Sequence, residues 1–236
     1  MIDHDSAPTV DRETRVRGPL AVVSADCAYA DRLAQVEQEL QDALAALAAV
    51  RAELDRTQAE ARNAQYMATH DALTSLPNSV FFRQRLEQSL SRAEPESPLA
   101  VLYLDLDGFK RRNDDHGHHV GDEILRIIAA RLTHAVRAED MVGRLGGDEF
   151  VCLLAGWTRR EQILHLANKL VDLIAAPLKI GSLEVSVRAS IGIATHPGDA
   201  DTTDAILQSA DLAMYHAKRR KLGVAFFDEC RARREA

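Results

Sequence analysis

Four carboxylates carry the most informative chemistry in this sequence. Asp105 and Asp107 close the apolar run Leu99–Leu104, and Asp148 with Glu149 follows a Gly146-Gly147 pair set between two further β-prone runs. Side chains two apart on a strand project to one face, so Asp105 and Asp107 point together while Leu106 turns to the core. The glycine pair marks a hairpin, because a two-residue turn needs positive φ, which glycine adopts without a Cβ clash. Any one of these acids alone reads as a turn cap or a solvated hairpin residue. Brought together at adjacent strand ends, they repel unless a cation lies between them. A hard divalent ion such as Mg²⁺ prefers oxygen ligands and keeps some of its waters, so it answers that need.

Periodicity supplies the elements that must position these groups. Pro77–Ser91 reads as a helix with Phe81, Phe82, Leu86 and Leu90 on one side, and Leu99–Leu104 as a buried strand. Gly121–Val136 has a helical period through Ile124, Leu125, Ile128 and Leu132. Met141–Leu145 and Phe150–Leu154 are the arms of the hairpin. Glu161–Ala176 reads as a helix, Leu183–Ala194 as one alternating strand, Thr203–Arg220 as a helix and Val224–Phe227 as a last strand. That order predicts an α+β domain with a mainly antiparallel sheet and helices on its faces.

Gly146-Gly147-Asp148-Glu149-Phe150 resembles the signature of the GGDEF domain of diguanylate cyclases, and the likeness continues along the chain. Asp105-Leu106-Asp107-Gly108-Phe109-Lys110, Asn113-Asp114, Gly117-His118 and Gly121-Asp122 resemble that family's nucleotide-site stretch. His70-Asp71-Ala72-Leu73-Thr74-Ser75-Leu76-Pro77-Asn78 is similar to its opening motif. Ser190-Ile191-Gly192-Ile193-Ala194 and Ala210–Lys218 are similar to its late strand and helix. The resemblance spans about residues 66–228. It implies a nucleotidyl cyclase or palm-like fold, with a central, mostly antiparallel five-stranded sheet and surrounding helices. It also implies the reaction: two GTP condense into cyclic di-GMP and two pyrophosphates at a dimer interface, with two Mg²⁺, or Mn²⁺, per active site.

Residue by residue, the resemblance implies a metal set of Asp105, the Leu106 carbonyl, Asp148 and Glu149. Asp148 and Glu149 are the catalytic pair, with the base unassigned between them. Asn113 and Asp122 would read the guanine edge, since a carboxylate accepts from N1–H and N2–H and a carboxamide pairs with O6 or N3. Phe109, Lys110 and Gly147 join the substrate contacts, and Lys218 adds a phosphate contact. Arg137 and Asp140 resemble the family's inhibitory RxxD site, where cyclic di-GMP arrests the enzyme. Three positions depart from the pattern: Ser75 stands for a usual Gly, Ser79 for a usual Arg, and Leu222 for an Arg that touches phosphate. Leu222 keeps a second reading open, a catalytically weak GGDEF module that acts as a GTP or cyclic di-GMP receptor or scaffold.

The front of the chain has a different character. Residues 1–30 carry Pro8, Gly18 and Pro19 and read as loose, with at most a short strand or turn around Leu20 to Val23. From Leu33 a seam runs through Val36, Leu40, Ala43, Leu47, Val50, Leu54, Thr57, Ala61 and Ala64, all apolar but Thr57, at alternating spacings of three and four. Such a heptad seam predicts a coiled-coil helix over 31–68 that forms a homodimer. The alternative is one amphipathic helix packed on its own globular part. The catalytic domain is expected over 69–230, with a tail over 231–236.

Composition excludes several classes. The 236 residues are 28% charged and 46% hydrophobic, with a net charge of −7. Residues 1–65 hold 7 basic and 12 acidic side chains, and the remainder is nearly balanced. No basic field is available for a nucleic-acid polymer. No apolar run approaches the ~20 residues that span a bilayer. The acidic opening MIDHDSAPTVDRETR lacks the apolar core of a signal peptide. Cys27, Cys152 and Cys230 form an odd set without metal spacing, which predicts reduced thiols and a cytoplasmic location.

Overall fold

A computed structural model describes residues 20–92, 98–157 and 159–232. They form two compact units, divided between Arg62 and Asn63. The first unit holds most of α1 (Leu20–Thr69). No Gly or Pro falls between Leu20 and Thr69, and Ala, Glu, Gln and Arg predominate, so nothing interrupts the helix once it starts. The expected loose segment is corrected accordingly. Residues 1–19 lie outside the described residues, but 20–30 are helical, with no strand or turn at Leu20 to Val23. Leu33, Val36, Leu40, Leu47, Val50 and Leu54 are 47–66% exposed, so the apolar seam is uncovered in the single chain.

The second unit is built on a five-stranded sheet. Its strands are β1 (Leu99–Asp107), β2 (Met141–Gly146), β3 (Glu149–Ala155), β6 (Arg188–His196) and β7 (Val224–Phe226), in the order β2-β3-β1-β6-β7. Every neighbouring pair is antiparallel except β6 with β7. A separate hairpin joins β4 (Leu178–Ile180) to β5 (Leu183–Val185). The helices are α2 (Ser79–Arg92), α3 (Phe109–His116), α4 (His118–Ala135), α5 (Arg160–Ala175), α6 (Thr203–Arg220) and α7 (Phe227–Ala232).

Alternation along β1 sorts the core. Leu102, Leu104 and Leu106 pack with Ile124, Ile128 and Leu170 of α4 and α5. Val101 and Tyr103 face the other way, among Phe82 and Leu86 of α2 and Ile206 and Ala210 of α6. Asp105 and Asp107 continue the row of Tyr103, so the strand itself delivers both acids to the α6 side. α6 lies almost in contact with β6: a Cβ on Gly192 would stand 2.0 Å from the Ala210 carbonyl oxygen and the Met214 nitrogen. Only a hydrogen fits there, and that close approach brings the α6 side chains down to β1.

Several expected boundaries move. β1 runs to Asp107 rather than ending at Leu104, and residues 109–116, to which the sequence reading gave no element, form a helix. The single strand expected over Leu183–Ala194 is two. Leu183–Val185 pairs with β4, and the sheet strand begins at Arg188, because alternation looks the same in a side hairpin as in the main sheet. Gly146 remains in β2 and pairs with Glu149, so the turn residues are Gly147, at φ +52°, and Asp148. α7 extends past the expected domain end at 230.

Candidate active site

The antiparallel register sets Asp105 of β1 opposite Glu149 of β3, and the Leu106 N–H donates to the Asp148 carbonyl at 3.3 Å. Three carboxylates therefore meet at one end of two paired strands. Burial raises the Asp148 carboxyl above its ordinary value and Asp105 adds to that, while Lys218 and Arg144 pull it back. Burial also raises Glu149. The Tyr103 hydroxyl donates to its carboxylate and opposes the rise, and Asp105, Asp211 and Asp148 reinforce it. The Lys218 ammonium, reaching across from α6, bonds the Asp105 carboxylate. Burial disfavours its charge, yet the bond to Asp105 and the fields of Asp105, Asp107 and Asp148 hold its pKa above the ordinary value.

Asp107 stands slightly apart, accepting from the Ser190 hydroxyl at 3.0 and 3.3 Å. A carboxylate that the sequence reading quoted only within a motif joins the cluster: Asp211 of α6, raised by burial and by Asp105. Its signal was present, since Asp211 and Lys218 are seven apart and share a helix face. Among the described residues, no three acidic, His or Cys side chains converge as a self-sufficient metal cage. Two carboxylates and the Leu106 carbonyl nevertheless suit Mg²⁺, which typically takes one or two carboxylates and completes its shell with water and phosphate oxygens.

The hairpin turn is anchored from a distance. Arg144 donates from Nε and Nη2 to the Gly147 carbonyl at 3.0 and 2.6 Å, and from Nη1 to Asp71 at 2.8 Å. Asp71 also accepts from the Thr74 N–H and hydroxyl at 2.9 and 2.6 Å. Burial works against the Asp71 charge, but the bonds to Thr74 and Arg144 outweigh it and lower its pKa. The opening motif therefore fixes the loop that carries Asp148. The sequence reading quoted Asp71 only as part of a motif and passed over Arg144.

Phe109 is buried at the start of α3, and Lys110 follows it exposed on the first turn, where backbone N–H groups have no helical partner. Asn113, on the same helix, holds a buried Oδ1 with no hydrogen-bond partner among the described residues. Its carboxamide lies on Gly121 of α4, where a Cβ would meet Oδ1 at 1.7 Å. A buried acceptor left unpaired is costly, so the position suits a ligand N–H. Asp122 is half-buried one residue beyond Gly121.

Arg137 and Asp140 divide their roles. Asp140 is 9% exposed and accepts from the Arg137 N–H at 3.0 Å, the Trp157 indole at 3.0 Å and the Ala155 N–H at 3.4 Å. It holds the turn and the indole together. The Arg137 guanidinium lies 4.2 Å over the Trp157 ring and is the exposed member of the pair.

A family model described as "Diguanylate cyclase, GGDEF domain" matches residues 68–223. This chain belongs to the GGDEF family. The GGDEF domain is 46% identical over 164 residues to the bifunctional diguanylate cyclase/cyclic di-GMP phosphodiesterase MucR of Pseudomonas aeruginosa, covering 69% of this chain and 24% of MucR. It is 44% identical over 170 residues to diguanylate cyclase TpbB of the same species, covering 71% of this chain and 39% of TpbB. The chain thus spans less than half the length of these relatives. Among solved structures, the coiled coil and GGDEF domain of DgcB from Caulobacter crescentus, in complex with c-di-GMP, matches with a TM-score of 0.69 at 26% identity, covering 77% of this chain and 97% of that one.

Leu222 of this GGDEF domain is 55% exposed and brings no cation to the loop after α6. Of the nearby basic residues, Lys221 lines the same cavity as Lys218, whereas Arg219 and Arg220 line a separate one between α6 and α7.

Proposed function

We propose that this chain is a diguanylate cyclase that condenses two GTP into cyclic di-GMP and two pyrophosphates, with one active site shared by the GGDEF domains of two copies. The observation that carries the reading is the assembly of Asp105, Asp148 and Glu149 at the β1–β3 end with Lys218 beside them. The unpaired Asn113 oxygen and the half-buried Asp122 suit the N–H edge of guanine. The free N–H groups at the start of α3, with Lys110 and Lys218, suit the phosphates. Asp105, Asp148 and the Leu106 carbonyl would hold Mg²⁺, which when bound neutralises phosphate charge and acidifies a coordinated hydroxyl. In the metal-free chain burial and neighbouring acids raise both the Asp148 and the Glu149 carboxyl above the ordinary value, and this pair stands where a proton from a 3′-hydroxyl would be accepted. Tyr103 orients Glu149 in that role.

The uncovered seam of α1 supports a homodimer held by a coiled coil. Arg137, stacked on Trp157, would contact cyclic di-GMP at the inhibitory site, with Asp140 shaping the turn beneath it. Cys152 is a buried thiol outside any disulfide among the described residues, in keeping with a reducing cytoplasm. Purified chain given GTP and Mg²⁺ is expected to release cyclic di-GMP, and Glu149→Gln to abolish it. Nucleotide binding without product from a confirmed dimer overturns this reading in favour of a receptor or scaffold, the alternative that Leu222 supports.

A further inference from the structure

We propose that Arg188, together with Lys221, binds the terminal phosphates of the nucleoside triphosphate; this rests on the cyclase reading and adds a substrate-binding residue to the same site. β6 presents Arg188, Ser190 and Gly192 to one face, by alternation. Gly192 touches the α6 backbone, and Ser190 bonds Asp107. Arg188 begins the strand, pairs with Asp107 in register and is exposed. Arg188 and Ser190 border a cavity of about 580 Å³ beside Asp107, facing Lys218 and Lys221, with Val171 and Ala175 of α5 as an apolar wall.

The charges in that cavity do not balance. With Lys218 paired to Asp105, Arg188 and Lys221 face one remaining carboxylate, Asp107, which already accepts from the Ser190 hydroxyl. The Arg188 side chain makes no hydrogen bond or ion pair among the described residues. Lys221 is held by its own backbone, whose N–H caps α6 on the Ala217 and Lys218 carbonyls at φ 57°. Lys218 both lines the cavity and bonds Asp105, so one side chain links the cavity to the carboxylate cluster. A group with several negative oxygens and little bulk matches this wall, and a guanidinium fork suits a phosphate better than an ammonium does. The cation that Leu222 cannot supply from the loop after α6 is thereby supplied from the strand beside it.

The test uses the full chain with Mg²⁺ and 3′-deoxy-GTP, which lacks the attacking hydroxyl, and GMP, which lacks the terminal phosphates. Arg188→Ala is expected to weaken 3′-deoxy-GTP binding about tenfold or more while changing GMP binding less than about twofold. Arg188→Lys should retain part of the affinity, and adding Leu222→Arg to Arg188→Ala should restore most of it. Unchanged 3′-deoxy-GTP binding, or an equal loss for both nucleotides, overturns the proposal. If the unaltered chain binds neither nucleotide, the cyclase reading fails along with it, so the two failures are distinguishable.

Discussion

At the residue scale, the site is organised around charge held in a small space. Glu149 sits among Asp105, Asp148 and Asp211, and the Tyr103 hydroxyl is the donor that partly offsets them. A raised carboxyl loses its proton at higher pH than a free one, so a base at Glu149 becomes competent later as pH climbs. Removing the Tyr103 hydroxyl removes a contact that favours the ionised form, which pushes Glu149 higher still. Tyr103→Phe is therefore expected to move the acid limb of the kcat/KM profile to higher pH. It should cost about five- to tenfold in rate on the acid limb and less on the plateau above it; an unmoved limb removes Tyr103 from its positioning role. The carboxylates at 105 and 148–149 were legible because each cluster is contiguous in the chain. The tie between Arg144 and Asp71 was not, since the two are 73 residues apart and neither spacing nor periodicity links them.

At the element scale, the close seating of α6 on β6 does the positioning. Asp211 and Lys218 reach the end of β1 only because the helix backbone passes Gly192 without an intervening side chain. Gly192→Ala would place a carbon 2.0 Å from backbone atoms that cannot rotate away. The expected result is a loss of about 3 kcal/mol or more in unfolding free energy, or insoluble protein, with nucleotide binding lost in whatever folds. A Gly192→Ala protein that melts and binds as the parent does would show that α6 sits farther from the sheet. The helix itself was readable from Thr203 to Arg220, and those bounds hold. The division of Leu183–Ala194 was not readable, because a β-run does not announce which partner it will pair with.

At the scale of the whole molecule, the chain pairs an uncovered apolar seam with a domain whose charges are locally polarised. No helix among the described residues is long and apolar enough to cross a membrane. Substituting Leu40→Glu and Leu47→Glu puts charges into the middle of the seam, where both residues are exposed in the single chain. Sedimentation should then show monomers, and cyclic di-GMP formation at micromolar protein should fall about tenfold or more. If the altered chain still dimerises and turns over as before, another surface assembles the active site.

The sequence by itself determined the α+β class, the heptad seam, the hairpin carrying Asp148 and Glu149, and the family through motifs spread over most of the domain. Local features can do this, since strand alternation, helical period and turn chemistry act over a few residues. Only the tertiary structure decided which distant groups meet: Asp211 with Asp105, Arg144 with Asp71 and the Gly147 carbonyl, Arg188 with Asp107 across the register. It also decided that Asp140 turns inward to Trp157 while Arg137 stays outside. These pairings depend on sheet order and on how closely a helix can approach a strand, both set by packing of the whole domain.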